Sequence, residues 1–216
     1  MDIVAAIHNA ISKQQPEKPR KYLGASSISD PCHRKLWYSL NGYQGEPNKP
    51  KLQITFDIGR KLEDMLLNYL SNAGILVMSI EQFYQDSSVP YLQGHVDGVI
   101  LLEDESKAIL ELKTANDASF NKFKKDGLLK WSESYYSQVQ SYMGMSGIHK
   151  AVLLCINKNT SDLHHQWVQF DEIFYECLVR KASAISLAEE PPERISQSPF
   201  FFGCSQCRYK GICHDN

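Results

Sequence analysis

The chain has 216 residues, enough to bury one full core, while two domains would be cramped. Its 43% hydrophobic and 22% charged residues are ordinary for a globular protein, and a net charge of −2 does not advertise nucleic-acid binding, although a global balance can hide a local basic patch. No apolar run is long enough to span a membrane and no G-x-x-x-x-G-K-[ST] occurs, which argues against a membrane protein and a P-loop motor.

The opening "MDIVAAIHNAISK" carries Asp2 and lacks a basic start, so it does not read as a signal peptide. A cytoplasmic setting is expected, where thiols stay reduced and clustered cysteines point to metal. "DIVAAIHNAISK" reads as a short amphipathic helix, followed by the polar connector "QQPEKPRK". In the next helix Asp30 is the expected cap, Pro31 suits the first turn and Gly42 ends it. "FDIGRKLEDMLLNYLSNAG" places Phe56, Leu62, Leu66 and Leu70 on one helical face and stops at Gly74.

Strands follow in "ILVMSIEQFYQ", "VPYLQGHVDGVILL" and "KAILELK", the last two joined as a hairpin by "EDES". "DASFNKFKKDG" and "SESYYSQVQSYMGMSG" read as helices, "KAVLLCINK" and "LHHQWVQF" as strands, and "DEIFYECLVRKASAISLAEE" as a long helix halted by "PP". That order implies an α/β or α+β domain around a mixed sheet.

The hairpin carries candidate chemistry. Alternation along a strand puts His95, Asp97 and Val99 on one face, and Ile109, Glu111 and Lys113 on one face of the next strand. In the right register Asp97 and Glu111 converge with Lys113 beside them. Two carboxylates offer hard oxygen ligands suited to Mg²⁺ or Mn²⁺, and a lysine can stabilise charge growing on a phosphate. The bland alternative is a solvated strand face. Glu63 follows Gly59 by four residues on the preceding helix, where a glycine would let the helix approach the sheet closely. Gln138 and Tyr142, at i and i+4, share a face of a later helix.

The series Gly59-x-x-x-Glu63, Gly-His-Val-Asp97, Glu111-Leu-Lys113 and Gln138-x-x-x-Tyr142 resembles the RecB-like branch of the PD-(D/E)XK nucleases. The resemblance implies a restriction-endonuclease-like fold, a mixed sheet flanked by helices. It also implies that Asp97, Glu111 and the Leu112 carbonyl bind a divalent metal, that Lys113 is catalytic, and that Gln138 and Tyr142 set the site and the DNA path. Glu63 stands where many members have His; a carboxylate there can still bind metal and makes the site more negative.

Six cysteines are present. Cys155 and Cys177 fall in apolar stretches and read as buried core thiols. Cys204, Cys207 and Cys213 form C-x2-C-x5-C, and Cys32, opening a polar helix and separated from Cys204 by 171 residues, is the candidate fourth ligand. Four thiolates suit tetrahedral zinc or an iron–sulfur cluster, and spacing alone leaves both open. "SSISDPCHRKLWYSL" paired with the C-terminal cysteines resembles the iron–sulfur members of the RecB-like nucleases, including the CRISPR-associated exonuclease family and the AddB nuclease domain. This implies a structural 4Fe–4S cluster on Cys32, Cys204, Cys207 and Cys213. It would join the N- and C-terminal parts of a single nuclease domain, 1–216, with its core at about 53–170 and cluster segments at about 22–42 and 199–216.

Lys122, Lys124, Lys125 and Lys130 alternate with Phe120, Phe123, Trp131, Tyr135 and Tyr136 just after the hairpin. Such a stretch can neutralise phosphates and stack on bases, or it can be a helix with a solvated lysine face and a buried aromatic face. Arg34, Lys35, Arg60 and Lys61 are further basic candidates. The expected function is a Mg²⁺- or Mn²⁺-dependent DNA exonuclease; the family resemblance implies a preference for a single strand and a setting in phage or recombination biology, with a recombination or helicase partner protein. The alternatives are a cluster-stapled DNA-binding adaptor without catalysis and a zinc-stapled nuclease.

Overall fold

The computed structural model describes residues 1–13 and 19–215, so most of the expected connector lies outside the described residues. The sequence begins with α1 (Ile3–Ser12), capped by Asp2, whose side chain accepts from Ala5 N. A short strand β1 (Leu23–Gly24), which periodicity did not reveal, precedes α2 (His33–Leu40) and α3 (Pro50–Asn72). The sheet strands β2 (Val77–Gln85), β3 (Leu92–Leu101) and β4 (Lys107–Ala115) follow. Then come α4 (Asp117–Trp131), α5 (Glu133–Ser146), β5 (Lys150–Asn157), β6 (Leu163–Gln169), α6 (Glu172–Ser186) and two helical turns, α7 (Phe202–Ser205) and α8 (Lys210–His214).

Local chemistry explains where these boundaries differ from expectation. The first helical residue of α2 is His33, with Cys32 at its N-cap. Asp30 does not cap it; its Oδ1 accepts from Cys32 N at 2.9 Å, two residues on, as in an Asx-turn. Gly42 takes φ +71° and Gly74 φ +75°, the left-handed turns that close α2 and α3. Helix α3 starts six residues before Phe56 because Pro50 sits in its first turn, where its missing N–H costs nothing. The expected break at Gly127 is a kink inside α4, with φ 76° and ψ 171°. Gln166 Oε1 receives the freed Leu128 N–H there at 2.8 Å.

The sheet is mixed. Strand β3 is antiparallel to β2 and β4 and parallel to β1; β4 runs parallel to β5, and β5 antiparallel to β6. Antiparallel neighbours are joined by short turns, while the parallel β4–β5 step needs the α4–α5 crossover. One face packs Ile100, Leu110, Leu112 and Val152 under Leu66 of α3. The other packs Val99, Ile109 and Leu153 under Phe120, Phe123, Val139 and Met143 of α4 and α5. A third cluster joins Leu36 and Trp37 of α2, Leu178 and Ile185 of α6, and Tyr209 near the C-terminus.

The aromatic positions of α4 therefore belong to the core. Phe120 and Phe123 are fully buried, and Trp131 stacks on Phe123, so the base-stacking role does not fall to these rings. Lys122, Lys124 and Lys125 remain exposed on the opposite face. Phe123→Ala is expected to cost about 3–5 kcal/mol of stability by leaving a cavity. Lys124→Ala should stay within about 0.5 kcal/mol of the parent. Urea unfolding midpoints measure both, and equal midpoints for the two variants would contradict this packing.

Candidate active site

The register of one hairpin builds the centre of the site. Gly98 pairs with Leu110, and one residue further along the same register sets Asp97 across from Glu111. Asp97 Oδ2 accepts from Leu112 N at 2.7 Å, tying the first carboxylate to the backbone of the next strand. Glu111 is fully buried; its Oε1 accepts from Lys113 Nζ, while Oε2 has no hydrogen-bond partner among the described residues. The expected convergence of Asp97, Glu111 and Lys113 is present.

These groups open into a cavity of about 590 Å³, which Glu63, Gln138 and Tyr142 also line. Gln138 Nε2 donates to Tyr142 Oη at 3.1 Å within the buried face of α5. A Cβ at Gly94 would lie 2.7 Å from Tyr142 Cε1, so only glycine on β3 lets that ring sit against the strand. Gln140, two residues from Gln138, points elsewhere: its amide bonds Gln169 O and Asp171 N, both at 2.9 Å.

Gly59 is a correction. A Cβ there would meet nothing within 4 Å, so this glycine does not serve close packing of α3 on the sheet; it borders the open cavity. Glu63 still faces the site from α3, half-buried.

The electrostatics follow from desolvation. Burial lifts the Glu111 carboxyl to about 8, against the pull of Lys113, with Asp97 adding repulsion. Burial also raises Asp97, opposed by Lys113 and by the Leu112 N–H. Glu63 is raised by burial and by Asp97. Burial alone would discharge Lys113, but Glu111 and Asp97 hold it protonated well above the ordinary lysine value. The Lys113 ammonium also lies 5.2 Å from the Tyr135 ring centroid.

Several cavity residues carried no signal in the sequence. Arg20 and Tyr22 come from the stretch before β1, and Lys158 from the turn after β5. They reach the cavity only through tertiary folding. Among the earlier basic candidates Arg60 lines the cavity and bonds Asp57, Lys61 bonds Asp64 at 3.4 Å, and Arg34 and Lys35 lie elsewhere.

Arg34 and Lys35 line a second cavity together with Cys32, Cys204, Cys207 and Cys213. The four cysteines thus come to one place from opposite ends of the chain. Cys204 is buried and the other three half-buried. Among the described residues, however, no three His, Cys, Asp or Glu side chains are drawn together tightly enough to enclose an ion, here or at the carboxylates. Cys155 is a core thiol whose pKa burial pushes up to about 12. Cys177 is not: it is exposed on α6, with Arg180 Nη2 3.1 Å from its sulfur.

The sequence model of the YqaJ-like viral recombinase domain matches residues 18–149. No curated protein matches the chain. Among solved structures, the alkaline exonuclease LHK-Exo from Laribacter hongkongensis aligns with a TM-score of 0.61 at 15% identity, covering 84% of this chain and 90% of its own. Its complex with dAMP aligns at 0.60 and 16% identity, with the same coverage. A phage related exonuclease from Haemophilus somnus 129PT aligns at 0.55 and 14% identity, covering 76% of this chain and 91% of its own. At such identities the likeness is one of fold, the PD-(D/E)XK-like mixed sheet flanked by helices.

The raised carboxyls set the pH dependence of stability. Where the folded protein keeps protons that the unfolded chain has released, stability falls as pH rises. Without divalent cation, the thermal midpoint should therefore drop between the ordinary glutamate value of 4.5 and the Glu111 value of about 8. Added Mn²⁺ should recover more of it at the upper end. Thermal scans in chelator-treated buffer check this; a midpoint that climbs across the interval refutes it.

Proposed function

The chain belongs to the YqaJ-like viral recombinase domain family, and from that premise we propose that it is a divalent-metal-dependent DNA exonuclease. The observation that carries this reading is the buried Glu111 oxygen without a partner, placed beside Asp97 and a protonated Lys113 in a cavity open to solvent. A pure DNA-binding adaptor has no use for carboxylates that repel phosphate. The donor set fits a hard cation: Asp97 and Glu111, the Leu112 carbonyl, and Glu63 from α3 would hold Mg²⁺ or Mn²⁺. A cation there supplies Lewis-acid stabilisation of the charge that grows on the phosphate.

The remaining chemistry belongs to the chain. Lys113 brings a fixed positive charge to the phosphate as water attacks phosphorus and the bond to the leaving ester oxygen breaks. Gln138 and Tyr142, bonded to each other, hold the wall against which the scissile nucleotide rests. Arg20, Arg60 and Lys158 meet the phosphates on either side. Preference for a single strand rests on Tyr22, Phe56 and Tyr135, whose rings line the cavity where unpaired bases would stack. We take residues 1–216 as one nuclease domain.

We further propose that Cys32, Cys204, Cys207 and Cys213 hold a structural 4Fe–4S cluster, as their shared cavity and the resemblance to iron–sulfur nucleases suggest. One observation favours zinc instead. The cavity that the four cysteines share with Tyr38, Tyr209 and His214 holds about 20 Å³ of free space, the room of a single ion or water. Both metals suit the four thiolates, and elemental analysis of anaerobically purified protein separates them.

Asp97→Ala, Glu111→Ala and Lys113→Ala should each lower turnover by at least about 100-fold. The carboxylate variants lose metal affinity as well, whereas Lys113→Ala keeps it. The assay uses end-labelled linear and closed circular single-stranded DNA with and without Mn²⁺. Degradation of the linear form alone marks an exonuclease, and parental rates in all three variants would hand the protein to the adaptor reading.

Lys124→Ala/Lys125→Ala should weaken DNA binding and flatten its dependence on log salt by about two contacts. Anisotropy titrations over a range of salt measure this. An unchanged slope would mean that the exposed face of α4 does not touch DNA.

A further inference from the structure

Lys35 is a cation that the nuclease chemistry leaves unused. It lies on α2 three residues after Cys32 and lines the cysteine cavity. Its ammonium donates to Asp30 Oδ2 at 2.5 Å. The other oxygen of the same carboxylate accepts from Cys32 N at 2.9 Å, and the Asp30 carbonyl accepts from Lys181 Nζ at 2.7 Å. One aspartate therefore fixes both the backbone of a cysteine and the position of the ammonium beside the thiols.

The neighbouring cations are engaged differently. Arg34 Nε donates to Tyr38 Oη at 3.1 Å, and its Nη1 reaches the carbonyls of Pro191 and Pro192 at 3.3 and 2.9 Å, so it straps the segment after α6. The Lys210 ammonium stands 5.4 Å from the Phe200 ring centroid and also lines the cavity, where its charge opposes the rise that burial gives the Cys204 thiol. Lys35 is coupled to the sulfurs themselves. Burial would lower its pKa, but Asp30 raises it, and Cys207 and Cys32 add to the rise.

Four thiolates around Zn²⁺, or around an oxidised 4Fe–4S core, carry a net charge of about −2 in either case. Such a group sits poorly in a half-buried cavity without a counter-charge. Resting on the cysteine-site reading above, we propose that Lys35, clamped by Asp30, supplies the fixed counter-charge of the metal–thiolate group on the Cys32 side of the cavity. It sets how tightly that group is held and, where the group is iron–sulfur, its reduction potential. Hydrogen bonds and charges around the ligands are the protein's means of tuning such a centre. Lys35 is thus a positioning and charge-balancing residue, not a ligand.

The test uses the full chain, purified without oxygen, as the parent protein, Lys35→Met and Lys35→Arg, with folding checked by far-UV circular dichroism. Iron, sulfide and zinc are quantified, metal release to excess chelator is timed, and the midpoint potential is measured where iron and sulfide are found. Lys35→Met should release metal several-fold faster, with a more negative midpoint, while Lys35→Arg follows the parent. If Lys35→Met keeps the parental release rate and midpoint, the proposal falls and the cysteine site stands. If both variants lose metal equally, charge is not the cause and the proposal falls again. A parent protein with neither zinc nor iron would overturn the cysteine-site reading, and this proposal with it.

Discussion

The ion pair between Glu111 and Lys113 lies almost wholly out of water, and it can exist only because three strands are already fixed around it. Glu111 sits on β4 opposite Leu153 of β5 and one register step from Asp97 of β3. A lone buried carboxylate would take up a proton instead of staying charged; the ammonium two residues along the same strand face is what opposes that. Glu63 and Asp97 press the balance the other way. Three carboxyls facing one lysine leave a local excess of acid, which destabilises the fold. Strain of this kind is what functional sites commonly hold.

The apolar layers supply the stability that this centre consumes. The faces of the sheet are covered by α3 on one side and by α4 and α5 on the other, so the strands cannot slip by one residue without turning Leu110 and Ile109 to the wrong faces. The same constraint holds Asp97 across from Glu111. Packing and the meeting of the carboxyls thus depend on one register, and the Asp97–Leu112 hydrogen bond is its local lock.

The parts of the site legible in the sequence were the local ones. Asp97, Glu111 and Lys113 come from adjacent strands joined by a tight turn, where alternation alone predicts which side chains meet. Gln138 and Tyr142 are one helical turn apart, which fixed their shared face but not what that face looks onto. Their convergence on the carboxylates needed the α4–α5 crossover, which only a resemblance to known nucleases could suggest. Arg20, Tyr22 and Lys158 were invisible because each lies outside regular periodicity. The misreadings have one cause. Gly59, Phe120, Phe123 and Cys177 were judged by residue type in a short window, but whether a position packs, opens or faces water is settled by elements far away in sequence.

The two cavities share one stretch of chain. Gly24, Ala25 and Ser26 border the carboxylate cavity, and Cys32, a few residues on, borders the cysteine cavity. The first wall is pinned to the sheet by Leu23 N to Tyr91 O at 2.7 Å and Ala25 N to Gln93 O at 2.8 Å. Each of these two backbone hydrogen bonds is worth about 1 kcal/mol net. Ile28 and Leu36 add apolar anchorage in the cluster that also takes in Tyr209 near the C-terminus. A link between Cys32 and Cys204 would close a loop across 171 intervening residues, restricting the unfolded chain by an amount on the order of 5 kcal/mol. That exceeds the two hydrogen bonds together. Such a link would tie the far end of this cavity wall to the C-terminal segment, in addition to the pairing of β1 with β3. A centre remote from the carboxylates would thereby help to hold the wall of their cavity in place.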